Sequence, residues 1–352
     1  MVVSFKHLAR RLPHLWYQRQ LAIPLYPLLP LSWLFRLIVG VRRHLFRFGV
    51  IRSFRLPVPV IIVGNLTVGG SGKTPLVLWL VEQLDGRGWR PGIISRGYGG
   101  SAGGAHAVTL DATTSLVGDE PLLLARRSGV PVFVGRDRLA AGRALLAANP
   151  DCNVIVSDDG LQHYRLQRSV EIAVFDGRSA GNGELLPAGP LREPLGRLRE
   201  TTGMVWNSVV PDQMARVGAA SAVPRFSMRL VGERFFALSD AQRSCTAVDL
   251  RGRRLFAAAG IGDPSRFFAQ LAALGLEFEA HPFADHHVFV AEDLAFARDG
   301  VLLMTEKDAV KCSAFTLGET WVLPVVARID AAPDGRLLLD TILEKLDGRS
   351  PT

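Results

Sequence analysis

Acidic residues are missing from the first part of the chain. No aspartate or glutamate precedes Glu82, whereas residues 1–55 contain ten lysines and arginines. Because the 352-residue chain has a formal net charge of +8, the basic character belongs to the N-terminal part and the remainder is slightly acidic. Such one-sided charge predicts an anionic partner, either a phospholipid surface or nucleic acid.

Cysteine is also scarce. Cys152, Cys245 and Cys312 are far apart and form neither a C-x-x-C pair nor a metal-ligand spacing. This argues against a disulfide scaffold or a cysteine metal site, and it predicts reduced thiols that serve as small core side chains in a cytoplasmic protein. The hydrophobic content of 48% argues against general disorder, and the length suffices for two domains.

The acid-free part of the chain combines basic with apolar residues. Residues 21–41 are apolar apart from Arg36 and long enough to span a membrane, but three evenly spaced prolines oppose one continuous helix there. From Leu34 onward the apolar and basic residues fall on opposite helical faces, which predicts an amphipathic helix in a membrane interface. We therefore predict a membrane-associating segment at 1–50. A helix packed on the soluble domain with a solvated basic face is the alternative.

Glycines cluster between a predicted strand and a predicted helix. An apolar run beginning at Val58 is followed by Gly69-Gly70-Ser71-Gly72-Lys73-Thr74 and then by a helical apolar pattern. The amides of such a loop bind phosphate, its lysine reaches the β- and γ-phosphates, and its threonine hydroxyl can bind Mg²⁺. Thr67 stands where the loose motif has its first glycine. We predict a nucleoside triphosphate site at these residues.

Strands and helices alternate along most of the remaining sequence. Up to about Trp206 the strands are short and apolar, which predicts a parallel sheet covered on both faces. A less regular segment near 207–224 separates them from a second β/α stretch. The predicted fold class is α/β, with a P-loop NTPase-like parallel sheet domain at 51–206, a second, smaller α/β domain at 207–352 and the N-terminal amphipathic membrane-associated helix.

Several element boundaries follow from local signals. A helical pattern extends from Arg136 to Ala148, and an apolar run at 321–326 predicts a strand. Asp263 is predicted to be the N-cap of a helix whose first residue is Pro264.

Carboxylates mark two further candidate sites. Asp158 and Asp159 directly follow an apolar strand, and in phosphate-loop enzymes an acid at such a strand end holds Mg²⁺ against the phosphates. We predict metal binding for at least one of them, with a simple turn as the alternative. Asp119 follows Gly118 at a predicted helix start, where it is either a cap or a base for an alcohol acceptor. His286 lies in a predicted loop, and sequence spacing does not show whether it meets Asp119.

The sequence contains an ordered series of motifs over nearly the whole chain, which are Gly64–Pro75, Ser95–Gly99, Gly118–Pro121, Asp158–His163, Leu186–Pro194, Asp285–His287 and Thr305–Lys311. This series resembles that of the tetraacyldisaccharide 4'-kinase family. Ala284 and Met304 depart from the residues that are common in that family.

The resemblance implies transfer of the ATP γ-phosphate to the 4'-hydroxyl of tetraacyldisaccharide 1-phosphate. The product would be lipid IVA, made at the cytoplasmic face of the bacterial inner membrane during lipid A biosynthesis. The residues carried over by matching motif are Lys73 and Thr74 for phosphates and Mg²⁺, Asp158 and Asp159 for the metal, Asp119 for the acceptor hydroxyl with His286 as its partner, and Arg192 and Glu193 near the nucleotide or lipid head group. We expect a monomer that binds the lipid disaccharide and the anionic membrane surface, and no nucleic acid.

The main alternative is a membrane-associated switch ATPase of the MinD/ParA type, whose loop spacing is similar. That class carries a lysine where Val68 stands, and its membrane helix is usually C-terminal. A GTPase is disfavoured because the lysine of Thr305-Glu306-Lys307-Asp308 is one position too late for a guanine-reading motif.

Overall fold

The computed structural model describes residues 12–18, 20–97, 100, 103–207 and 223–347. The strands are β1 Val60–Gly64, β2 Pro91–Ser95, β3 His106–Ala107, β4 Val132–Val134, β5 Val154–Asp158, β6 Val170–Asp176, β7 Gly203–Asn207, β8 Arg225–Val231, β9 Arg234–Ala237, β10 Asp240–Thr246, β11 Leu255–Ala259, β12 Glu279–Pro282, β13 Val301–Thr305, β14 Thr320–Leu323 and β15 Val326–Ile329. The α-helices are α1 Leu29–Arg47, α2 Lys73–Asp85, α3 Thr114–Val117, α4 Asp119–Ser128, α5 Arg138–Ala148, α6 Ala247–Leu250, α7 Pro264–Ala273, α8 Glu306–Cys312 and α9 Leu338–Asp347. The 3-10 helices are Ile23–Leu28, Leu195–Glu200 and Ala291–Ala297.

The chain divides into two compact units. The first unit comprises Met1–Pro91, Asp151–Arg229 and Ile329–Thr352, and the second comprises Gly92–Pro150 and Leu230–Arg328. Both units are therefore built from separate stretches of sequence. The predicted domains at 1–50, 51–206 and 207–352 were continuous, and they remain predictions about domain boundaries.

A parallel sheet forms the core of the first unit. Its strands run in the order β8, β7, β6, β1, β5, and every one of these pairings is parallel. β1, β5, β6 and β7 are buried along their whole length, as expected when both faces of a parallel sheet are covered. Val63 near the end of β1 is in register with Asp158 at the end of β5. The carboxyl ends of these central strands thus lie side by side.

The second unit contains two groups of strands. β2 and β4 pair in parallel, and the short β3 is antiparallel to β4. The other group is a six-stranded sheet with the order β10, β9, β14, β13, β11, β12, in which β11 to β14 pair in parallel. Helices α4 and α8 pack against each other within this unit. An ion pair between Arg127 and Glu306 joins these two helices.

The N-terminal helix is longer than its prolines suggested. Pro24 and Pro27 lie in the 3-10 helix, and Pro30 lies in the first turn of α1, where a missing backbone N–H breaks no helical hydrogen bond. Together, Ile23–Arg47 form a helix that is long and apolar enough to cross a membrane, judged by length and composition only. The basic residues at positions 6, 10, 11 and 19 lie outside the described residues, as does most of the segment near 207–224.

Two predicted boundaries are corrected. The run at 321–326 is not one strand, because β14 ends at Leu323 and the chain passes through Pro324, which has no backbone N–H for a strand ladder. Helix α5 begins at Arg138 rather than Arg136, since the Asp137 side chain accepts a hydrogen bond from the Leu139 amide and caps the helix there. The predicted helix start at Pro264 and the buried environment of all three cysteines are confirmed.

Candidate active site

A glycine loop connects β1 to α2 in the first unit. Gly69 and Gly72 have φ angles of 95° and 87°, in the left-handed region that favours glycine, and α2 begins at the next residue, Lys73. A Cβ atom at Gly72 would lie 2.1 Å from Nδ2 of Asn207, whose amide donates a hydrogen bond to the Ser71 carbonyl oxygen at 3.2 Å. Glycine is therefore required at position 72 by both the backbone angle and the close neighbour.

A second segment of the chain braces this loop from the side. The Val68 amide donates to the Pro190 carbonyl oxygen at 2.9 Å, and the Arg192 amide donates to the Leu66 carbonyl oxygen at 2.6 Å. These bonds satisfy backbone groups that an irregular loop would otherwise expose. The Leu186–Pro194 motif thus has a structural role beside the loop.

Lys73 lies among the side chains that the sequence assigned to the metal site. Its Nζ donates to Asn65 Oδ1 at 3.3 Å and is 3.4 Å from Asp159 Oδ1. Arg192 Nη1 lies 3.1 Å from Asp159 Oδ2. Asp158, the residue before Asp159, is buried and is the last residue of β5. Because β1 and β5 are neighbours, the fold brings the loop lysine and both predicted metal carboxylates to one edge of the sheet.

The donor set suits Mg²⁺, which prefers oxygen ligands. Thr74 is the second residue of α2, and Asp158 and Asp159 supply carboxylates from the adjacent strand end. In the described ranges no group of three or more His, Cys, Asp or Glu side chains could hold a metal ion by itself. The loop threonine and the two carboxylates instead fit the kind of Mg²⁺ site in which one or two carboxylates act together with nucleotide phosphates.

Two residues at the loop were missed by sequence analysis. Arg178 Nη2 donates to the Gly70 carbonyl oxygen at 2.9 Å, while its Nε donates to Asp176 Oδ2 at 2.9 Å. Tyr17 donates its hydroxyl to the Val68 carbonyl oxygen at 3.0 Å, and its ring lies 4.5 Å from the Arg178 guanidinium carbon. Neither residue belongs to a phosphate-loop motif, so no short pattern could have identified them.

Glu193 has a different environment from Arg192. Its side chain is buried, and it accepts a hydrogen bond from Tyr164 and lies 3.7 Å from Arg197. Burial raises its pKa against the opposing effects of these two partners. The predicted nucleotide or head-group contact of Glu193 therefore gains no support from its geometry.

A second cluster, in the second unit, contains the predicted acceptor residues. Asp119 begins α4 after Gly118, and His286 lies in the loop that follows β12. His286 Nδ1 is 3.0 Å from Asp119 Oδ2. The Asp119 side chain is 8% exposed and that of His286 is 35% exposed, so His286 is the accessible member of the pair. The backbone φ of His286 is 58°, a left-handed conformation that costs on the order of 1 kcal/mol.

Two lysines of α8 complete this cluster, and sequence analysis assigned them no role. Lys307 Nζ lies 3.1 Å from Glu120 Oε1, 3.2 Å from Asp285 Oδ1 and 3.8 Å from Asp119 Oδ2. Lys311 Nζ lies 3.9 Å from Asp119 Oδ2. α8 is positioned by Thr305, whose hydroxyl accepts from the Asp308 amide at its N-terminus. The lysines could have been suspected only from their place in the Thr305–Lys311 motif.

The charges around Asp119 set its protonation. Burial alone would raise the pKa of Asp119, but the hydrogen bond with His286 and the charges of Lys307 and Lys311 outweigh burial and lower it. The same hydrogen bond raises the pKa of His286, against burial and the charge of Lys307. The pair thus favours a carboxylate beside an imidazole whose proton affinity is increased.

Comparison with known proteins identifies the family. The family model described as "Tetraacyldisaccharide-1-P 4'-kinase" matches residues 25–344 of this chain. The chain belongs to this kinase family. The prediction of a tetraacyldisaccharide 4'-kinase enzyme is therefore confirmed, in preference to a MinD/ParA-like switch ATPase.

Similar kinases resemble the chain over nearly its full length. A tetraacyldisaccharide 4'-kinase of Dechloromonas aromatica is 54% identical over 344 residues, covering 97% of this chain and 99% of the relative. One of Azoarcus sp. is 54% identical over 341 residues, covering 96% of each. A crystal structure of the "apo" form of LpxK from Aquifex aeolicus in complex with ATP has 29% identity and a TM-score of 0.74, and covers 92% of this chain and 100% of that one. The predicted α/β fold class is confirmed by this likeness.

Proposed function

We propose that the chain transfers the γ-phosphate of ATP to the 4'-hydroxyl of tetraacyldisaccharide 1-phosphate, giving lipid IVA in lipid A biosynthesis. The observation that carries this proposal is the family match over 25–344, which spans both the glycine loop with Lys73 and the Asp119–His286 pair. Relatives of that name with 54% identity support the choice of acceptor.

The glycine loop and its neighbours bind the nucleotide. Lys73 leaves Asp159 to contact the β- and γ-phosphates, and the amides at the start of α2 face the same anion. The Ser71 hydroxyl is buried and has no hydrogen-bond partner among the described residues, which fits a donor for a phosphate oxygen. Thr74, Asp158 and Asp159 would hold Mg²⁺, which would supply neutralisation of the phosphate charge. Arg192, which pairs with Asp159, also contacts the nucleotide.

The Asp119–His286 pair takes the proton of the acceptor hydroxyl. His286 is the more exposed member, so the hydroxyl reaches the pair from the His286 side and Asp119 orients the imidazole through Nδ1. Lys307 and Lys311 keep Asp119 ionised, which preserves the hydrogen bond that raises the basicity of His286.

α1 binds the cytoplasmic face of the inner membrane, and the chain acts there as a monomer. Support comes from large apolar side chains that are exposed on this helix, including Trp33 at 59% and Leu37 at 62%. The buried Ser32 side chain fixes the helix to the first unit, since its hydroxyl accepts from the Ala188 amide and donates to the Leu185 carbonyl oxygen, both at 2.9 Å. An exposed apolar face on a docked helix suits interfacial binding.

An acceptor assay tests this function. Purified full-length chain is incubated with ATP, Mg²⁺ and the tetraacyldisaccharide 1-phosphate in neutral detergent micelles, and the lipid is analysed for a new phosphate on the distal sugar. Lys73→Met should abolish this product, whereas the exposed control Lys345→Met should not. ATP hydrolysis that is unaffected by the acceptor, with no phosphorylated lipid, would instead support a switch ATPase.

A further inference from the structure

A cavity of about 730 Å³ lies beside the C-terminal end of α1 in the first unit. It is separate from the glycine loop, and the proposed reaction uses none of its side chains. The residues on which its character depends are Arg43, Arg47, Ser53, Arg55, Tyr164 and Arg168. Four arginines in one cavity indicate a ligand with negative charge.

Part of this positive charge is neutralised by a network of glutamates. Arg168 pairs with Glu171 at 3.0 Å, and Arg43 pairs with Glu200 at 2.7 Å. The network continues through Arg197, which lies 2.5 Å from Glu171 and 3.7 Å from Glu193. Three arginines thus face three glutamates, and this network has no net charge to offer a ligand.

Arg47 and Arg55 add charge that the network does not balance. Both line the cavity and both are exposed. Neither forms an ion pair with an acidic side chain in the part of the chain that the structure describes. An anion in the cavity would meet two guanidinium groups, which bind phosphate oxygens through paired hydrogen bonds.

Exposed apolar residues lie directly beside these arginines. Phe48 is 75% exposed and Val50 is 71% exposed, and both follow Arg47 immediately after the end of α1. Isolated exposed apolar residues are ordinary, but these extend the exposed apolar face of α1 that includes Leu37. When such residues enter the acyl region of a bilayer, adjacent basic residues lie at the depth of the lipid phosphates.

We propose that this cavity binds the phosphate head group of an anionic membrane phospholipid, held by Arg47 and Arg55 with the Ser53 hydroxyl as a further donor. The apolar residues beside the cavity favour a lipid over a free anion, because a free anion gains nothing from them. The bound lipid fixes the C-terminal end of α1 at the membrane surface.

Vesicle binding of the full-length chain tests this site. The vesicles are phosphatidylcholine with or without phosphatidylglycerol as a minority component. Arg47→Gln/Arg55→Gln should weaken binding to the anionic vesicles by well over thirty-fold, since about thirty-fold corresponds to the roughly 2 kcal/mol that two basic residues near the surface contribute by charge alone. The matched control Arg36→Gln/Arg52→Gln removes the same charge from exposed positions outside the cavity and should weaken binding by no more than about thirty-fold. Thermal unfolding confirms that each variant is folded.

A second variant separates the cavity from surface charge. Ser53→Phe fills the cavity without changing charge and should also weaken binding to anionic vesicles by tenfold or more. Equal losses for the two arginine pairs, or unchanged binding by Ser53→Phe, would overturn the proposal. Displacement from the vesicles by inorganic phosphate at constant ionic strength would show a free-anion site. A raised KM for the disaccharide acceptor in neutral micelles, with unchanged vesicle binding, would assign the cavity to the phosphate of the acceptor instead.

Discussion

Asp119 and His286 are 167 positions apart in the sequence, and their side chains lie 3.0 Å apart in the folded chain. Asp119 is held at the start of α4, and His286 is held in a loop by a left-handed backbone conformation. The pairing therefore depends on tertiary structure rather than on local sequence. It places a buried carboxylate behind an accessible imidazole, the arrangement that orients a histidine for proton transfer.

Asp119→Asn should lower the pKa of His286. The hydrogen bond to the carboxylate favours the imidazolium form, and a neutral amide removes that effect. We expect the acidic limb of the kcat profile to move to lower pH and the maximal rate to fall by 10²-fold or more. NMR titration of the histidine ring measures the pKa directly, with His106 as an internal control outside the cluster. If His286 titrates at the same pH in Asp119→Asn as in the unmodified chain, the Asp119 carboxylate does not raise the pKa of His286 and the prediction fails.

The same pair also predicts how stability depends on pH. Asp119 has a pKa below its ordinary 3.8, so its contribution is present above that value and is lost as the pH falls through the lowered pKa. His286 has a pKa above its ordinary 6.5, so its contribution is complete below 6.5 and is lost as the pH rises through the raised pKa. Asp119→Asn should therefore destabilise most between these two limits. Urea unfolding at several pH values measures this, and a pH-independent effect would contradict it.

Lys307→Met should reduce both stability and turnover. Removing this cation leaves Glu120, Asp285 and Asp119 close together without their shared partner. Because these ion pairs are only partly buried, the loss should cost about 1 to 2 kcal/mol, between the values for exposed and for buried pairs. The cost should shrink as the pH falls and the carboxylates are protonated. Lys307→Arg, which keeps the charge, should retain more stability.

Chemical unfolding of Lys307→Met is compared with that of Lys345→Met. Lys345 is exposed, so its replacement should change the free energy of unfolding by less than about 0.5 kcal/mol. Equal effects of the two substitutions on the free energy of unfolding would show that the ion pairs of Lys307 do not stabilise the acceptor cluster.

Strands could be predicted from the sequence where the apolar pattern of the strand matches its burial in the folded chain. The strand before Gly69 was expected because β1 is apolar throughout, and its burial in a parallel sheet explains that pattern. β11, at Leu255–Ala259, is likewise apolar and buried along its whole length. By contrast, β10 is mostly exposed and polar, so its sequence has no alternation of apolar and polar residues from which a strand could be predicted.

The details of the two clusters could not be predicted for a different reason. Asn207 reaches the loop at Gly72 from a strand 135 positions later, and Lys307 reaches Asp119 from another helix. Such contacts leave no periodic signal, since each involves a single side chain at a strand or helix end. Family resemblance suggested the partner of Asp119, while Arg178 and Tyr17 carried no motif at all.

Ser32→Ala should loosen α1 from the first unit. The Ser32 hydroxyl is buried and serves both the Ala188 amide and the Leu185 carbonyl oxygen. Its loss leaves the Ala188 amide without this partner, while the Leu185 carbonyl oxygen still accepts from the Gly189 amide at 2.9 Å. We expect a loss of about 1 to 3 kcal/mol in unfolding free energy and faster proteolysis near residue 28. The exposed Ser313 bonds only within its own turn, and Ser313→Ala should have little effect. Similar results for both variants would mean that packing alone holds α1.

Gly72→Ala should disable nucleotide binding through a steric clash. The new Cβ would lie 2.1 Å from Asn207 Nδ2, in a backbone conformation that already disfavours alanine. Gly88→Ala is a matched control, because Gly88 has a similar φ of 84° and no atom within 4 Å of the added Cβ. Both variants should pay a strain cost of about 1 kcal/mol, but only Gly72→Ala should lose ATP affinity. Adding Asn207→Ala, which removes the two nearest atoms, should restore part of that affinity. If ATP titration shows equal losses at positions 72 and 88, backbone strain rather than the contact with Asn207 explains the requirement for glycine.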